Sequence, residues 1–117
     1  MIDETARQLG RMLGQGEEYR ALQRAREALE GDAEIATKLR RLEELAAKLQ
    51  ERVAQGLEPE GPDADEYDRL FNEVQTSLSY QRLVSAQSNF DKMMHQVQER
   101  IVEGMQQGAE SRIITLT

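Results

Sequence analysis

A single histidine, His95, stands in "NFDKMMHQVQER", directly after Met93 and Met94. Imidazole titrates near neutrality, which makes His95 the first candidate for a general base or a metal ligand. Either role needs company. A metal requires several His, Cys or carboxylate donors converging on one point, and a base requires a nucleophile or substrate within hydrogen-bond reach. The 117 residues contain no second His and no Cys. On a helix His95 shares its strip with Asp91, Gln98 and Val102, and Asp91 at i−4 is placed to pair with it. The expected environment is therefore a solvent-facing or boundary position on a structural helix. Met93 and Met94 read as flexible fillers of an irregular helix interface, with no cofactor implied.

Other chemistry-bearing patterns fail on spacing. Asp63, Asp65, Glu66 and Asp68 crowd together, but a calcium loop started at Asp63 would have Asp68 where Gly is needed and Val74 where Glu is needed. The acids instead suit a helix N-terminus, with Asp63 and Glu66 at the spacing of a capping box. "GRMLGQG" has three Gly but no Lys and no preceding strand, so it does not cradle phosphate. No nucleophilic triad can be assembled around His95. We therefore expect no catalytic residues, metal or cofactor, and a protein that is not an enzyme.

Charge narrows the partners. The formal net charge is −7, and the densest basic clusters, Arg20, Arg24 and Arg26, then Lys38, Arg40 and Arg41, are interleaved with Glu. Nucleic acid and anionic membrane surfaces both demand unbroken positive patches, so neither is an expected partner. No apolar run approaches the roughly 20 residues of a membrane span, and "MIDETARQLG" lacks the order of a signal peptide. The absence of Cys excludes disulfides and cysteine-held clusters in this chain, and the expected location is the cytoplasm.

The elements behind these residues are helical almost throughout. Ile2, Ala6, Leu9 and Leu13 form a short amphipathic helix ended by "GQG" at 14–16, and Tyr19, Leu22, Ala25 and Leu29 form a second, interrupted at Gly31. Asp32 can cap a third helix, whose Ile35, Leu39, Leu42, Ala46, Leu49 and Val53 alternate at four and three residues, with Leu45 widening the seam. Two Pro and two Gly between 56 and 62 reverse the chain. A fourth helix carries Tyr67, Leu70, Phe71, Val74 and Leu78. Ser77 or Ser79 caps the last, which carries Leu83, Ala86, Phe90, Met94, Val97, Ile101 and Met105 and is expected to end near Gly108. The β-branched "SRIITLT" then reads as a tail that is frayed, paired with a strand of another chain, or packed on the bundle.

The fold expected is all-α: an elongated helical bundle built on a long antiparallel helical hairpin with shorter N-terminal helices. One helical domain occupies 1–110 and a C-terminal tail 111–117. A last helix over about 79–107 would be roughly 43 Å long, beyond the width of about 35 Å for a compact domain of this size. Apolar surface should then remain for a second copy or another protein. The expected contact surface comprises Leu45, Leu49, Phe90, Met93, Met94, Val97, Ile101 and Val102, and the expected assembly is a homodimer.

"MIDETARQLGRMLGQGEEYRALQRAREALEGDAEI" resembles the opening of the YlbF/YmcA family of bacterial helical proteins, with its short helix, "EY" entry and further helix. "LVSAQSNFDKMMHQV" is similar to that family's closing helix, Ala86 being followed four residues later by Phe90. Where many relatives have Asn-Pro at the start of that helix, this chain has Ser77 and Leu78. The resemblance implies a non-enzymatic, all-α regulator. Members are linked to competence, biofilm formation and sporulation, and some act with YaaT on RNase Y and mRNA processing. Some hold iron–sulfur clusters through cysteines, a property that does not carry over to a chain with none. Two other readings have their own signatures. A prefoldin-like holdase needs exposed apolar residues at a hairpin tip, where Leu57 is the only large one expected. A small dimeric enzyme of the chorismate mutase type needs two or more buried Arg facing a cavity.

Overall fold

A computed structural model describes the backbone of residues 1–116 and the side chains of residues 1–110. Five helices follow one another: α1 Ile2–Gln15, α2 Glu17–Glu30, α3 Ala33–Ala54, α4 Pro62–Gln75 and α5 Leu78–Leu116. No strand occurs among the described residues. The molecule measures 71 × 36 × 21 Å with a radius of gyration of 22.0 Å, far above the roughly 13 Å of a compact chain of this length. The all-α, elongated architecture is what the hydrophobic period required.

Each junction has a local cause. At Gly16 the backbone turns extended (φ −76°, ψ 158°) while its N–H still donates to the Leu13 carbonyl at 3.1 Å, so α1 and α2 are separate helices. Gly31 has ordinary helical angles, and the interruption falls instead at Asp32, whose extended backbone lets Oδ1 accept from the Ile35 N–H at 3.2 Å. The other oxygen of Asp32 accepts from the Ser79 hydroxyl at 3.1 Å, tying the start of α3 to the start of α5. Helix α3 ends in a Schellman motif. Gly56 takes φ 81°, its N–H donates to Val53, and the Leu57 N–H donates to Arg52 at 2.9 Å.

The start of α4 differs from the capping box expected there. Gly61, at φ 105°, is the N-cap and Pro62 opens the helix, with no side-chain cap. Glu66 is engaged elsewhere. Its two oxygens accept from Arg41 Nε at 2.7 Å and Nη2 at 3.1 Å, a forked pair that bridges α3 and α4. Lys38 does the same one turn away, 3.1 Å from both Glu34 and Glu73.

Two apolar cores result. Ile35, Leu42 and Leu45 of α3 pack on Leu70 and Val74 of α4, with Tyr67 and Tyr80 at the edge. Leu22 and Ala25 of α2 pack on Ala86 of α5, flanked by Leu83 and Phe90, and the Tyr19 and Phe90 rings lie 5.9 Å apart. The reversal at 56–62 therefore folds α3 back on α4, while the long helix takes α2 as its antiparallel partner. The seam of α3 is filled by Leu70 and Val74 before α5 begins, which leaves α5 to find its cover at the other end of the chain.

Helix α5 passes through Gly104 and Gly108 without a break. It was expected to end near Gly108, but an exposed glycine inside a helix costs only about 1 kcal/mol relative to Ala, less than a full turn of hydrogen bonds contributes. At 39 residues the helix spans roughly 58 Å. The proposed roles of the Ile113 and Leu116 side chains, in strand pairing or in packing, lie outside the described residues.

Candidate protein interface on the long helix

Helix α5 carries one apolar stripe along its length, but α2 is only 14 residues long and covers only its first half. The N-terminal turn of α2, Glu17 and Glu18, sits beside Lys92, Met93 and Gln96. Beyond that point α1 diverges, and none of its residues packs on α5. Ile101 is 43% exposed, Val102 44% and Met105 68%. Helix α1 is as open, with no buried residue, Ile2 84% exposed and Met12 64% exposed.

The eight residues expected to form a contact surface separate into three groups. Met94, Ile101 and Val102 are exposed on α5. Phe90, Met93 and Val97 are half-buried, Phe90 beneath Tyr19 and Met93 at the start of α2. Leu49 is half-buried near Val53, Pro59 and Tyr67 at the far end of the α3–α4 hairpin. Leu45 must be corrected: at 0% exposure it is the deepest residue of the α3–α4 core and offers nothing to a partner. A position one step off the seam suggests surface, whereas α4 packs over that step. Ile2, Met12 and Met105 belong with the open apolar positions and were not among the eight. The signal was present in α1, whose stripe is complete but, among the described residues, meets no helix other than α2 and buries none of its residues.

His95 is exposed, as its strip required, but its partner differs from the one expected. Its Nε2 lies 3.0 Å from Glu99 Oε1, while Asp91 accepts from the Gln87 amide at 3.0 Å. The pair lies on an open trough along α5 whose edge includes Arg26 and Ser88. Ser88 is seven residues from His95, roughly 10 Å along the axis, so imidazole and hydroxyl do not form a nucleophile–base pair. Among the described residues no three His, Cys, Asp or Glu side chains are grouped to hold a metal, and no charged side chain is buried. Arg24 and Arg82 line one open groove between α2 and α5, but both are exposed, and no arginine among residues 1–110 is buried as the enzyme signature requires. The shifted titrations belong to the hairpin: hydrogen bonds accepted from Arg41 hold Glu66 below the usual carboxylate range, and hydrogen bonds donated to Glu34 and Glu73 push Lys38 up.

The open apolar positions on α1 and α5 are the feature of this arrangement suited to meeting another surface. The family model described as "Control of competence regulator ComK, YlbF/YmcA" matches residues 2–106. The chain belongs to that family. Two UPF0342 proteins of Limosilactobacillus reuteri, from strain DSM 20016 and from subsp. reuteri strain JCM 1112, are each 28% identical over 105 residues, 90% of this chain and 85% of theirs. No solved structure matches at a significant level. The YlbF/YmcA match covers α1 through the exposed part of α5, so the open stripes lie within the family's own extent. No helix among the described residues is long and apolar enough to cross a membrane.

Proposed function

We propose that this chain is a non-enzymatic regulatory adaptor of the YlbF/YmcA type, acting in the cytoplasm through helix-mediated contacts with a second copy of itself and with another protein. The observation that carries the reading is the uncovered half of α5, where Ile101, Val102 and Met105 stand open on a helix whose other half is packed. Exposed apolar stripes of this length mark contact sites in soluble proteins. The family description names control of a regulator, not a reaction. The process served is of the kind linked to that family, which includes competence, biofilm formation and RNase Y-linked mRNA processing, here without an iron–sulfur cluster. Capture from an extract of the native cell tests this. Immobilised wild-type protein retains a defined partner, and a chain with Ile101→Glu and Met105→Glu loses at least tenfold of it at unchanged helicity. Equal capture by both chains would remove α5 as the functional surface.

One observation favours a second reading. The hairpin tip exposes Val53 as well as Leu57, more apolar surface than the holdase signature was expected to find. Suppression of aggregation of an unfolded client, abolished by Val53→Ser with Leu57→Ser, would support that alternative, and no suppression would end it.

A further inference from the structure

Two apolar faces of this chain lack cover, and they match. Helix α1, roughly 21 Å long, carries exposed Ile2 and Met12 beside half-buried Leu9 and Leu13, and α5 beyond Val97 carries exposed Ile101, Val102 and Met105 on a stretch that runs on for roughly 20 Å to Glu110. Helix α1 departs at the N-terminal turn of α2, beside Met93 and Gln96 of α5, so a straight backward continuation of α2 would have laid it on that stretch. Gly16 prevents this: its extended backbone turns the chain, and the bond from its N–H to Leu13 holds the bend. Each face is thus left without the partner that its own chain contains.

We infer that a second copy supplies the cover, with α1 of each protomer lying along the outer half of α5 of the other. The inference rests on the self-association proposed above and gives it a geometry. Under two-fold symmetry one contact closes both open faces, twice. The exposed parts of Ile2, Met12, Ile101, Val102 and Met105 amount to about three whole side chains per protomer, roughly 500 Å². Buried in full, these residues alone would withdraw roughly 1,000 Å² across a pair, the lower bound for a specific interface. Charge permits it. Seven acidic residues and a single Arg lie between Glu58 and Glu73, accounting for most of the net charge, whereas α1 balances Asp3 and Glu4 against Arg7 and Arg11. The faces that would meet are close to neutral, and the repelling charge sits on the hairpin.

The chain has no Cys, so single thiols can be placed without background. A Leu9→Cys chain carrying a mass tag is mixed with an untagged Ile101→Cys chain and treated with a short bis-maleimide. A mixed product of one tagged and one untagged chain is expected. In the double variant Leu9→Cys with Ile101→Cys, linkage is expected between chains. Linkage within one chain would show α1 closing on its own α5, and products only between like chains would show a different pairing; either result overturns the inference. Sedimentation of the same samples keeps the two levels apart. A dimer without the mixed product rejects the exchanged arrangement alone, whereas a monomer at every concentration rejects self-association itself.

Discussion

At the scale of single residues, most ion pairs lie within one helix, and Arg41–Glu66 and Lys38–Glu73 tie two helices together. The Arg41–Glu66 fork spans α3 and α4, and its carboxylate is held below the ordinary glutamate value of 4.5 chiefly by the hydrogen bonds from Arg41. A carboxylate depressed in the folded state contributes stability that is present above 4.5 and is lost as pH falls through the lower folded value. The hairpin should therefore loosen on acidification below about pH 4.5, and Glu66→Gln should be less stable near neutrality but flatter across that acid window, as followed by thermal melts at several pH values. An acid limb as steep as the wild type's would show that other carboxylates govern it. Lys38 has the opposite sign, its contribution fading only as pH rises beyond the usual lysine range. The character of His95 was legible from its neighbours, since an isolated imidazole on a polar strip has nothing to act with. Its partner was not, because Asp91 at i−4 and Glu99 at i+4 are equally close on a helix and only the rotamers decide between them.

At the scale of elements, the helices were legible in the spacing of their apolar residues and the turns in Asp32, Gly56, Gly61 and Pro62, except that Leu78, expected on the fourth helix, opens α5 after α4 ends at Gln75. What the spacing did not carry was which stripe meets which. A stripe on α3 is satisfied equally well by the stripe of α4 or of α5, and the choice is made by a 14-residue α4 that refills the seam first. Leu45 was misplaced for the same reason, since whether a residue flanking a seam is core or surface depends on the width of the helix that covers it. The division into two cores makes a prediction. Leu22 is 1% exposed between α2 and α5, so Leu22→Ala should cost about 2–5 kcal/mol. Hydrogen exchange should place the loss in α2 and the first half of α5, with α3 and α4 protected as before. Uniform loss would show that the two cores melt as one unit.

At the scale of the whole molecule, the excess of length over bulk governs the rest. A 39-residue helix with a 14-residue partner leaves its stripe bare at Ile101 and Met105, and the helix that would have covered them is turned aside at Gly16. Exposure of that kind is costly to keep in water, roughly 25 cal/mol for each Å² of apolar surface, so association is its natural outcome. The most direct measurement is sedimentation equilibrium of the unmodified protein across the micromolar range. The account predicts a species of twice the 13.4 kDa chain mass, reverting toward the single mass when Ile101 and Met105 are made Glu. A mass of 13.4 kDa at every concentration would contradict it.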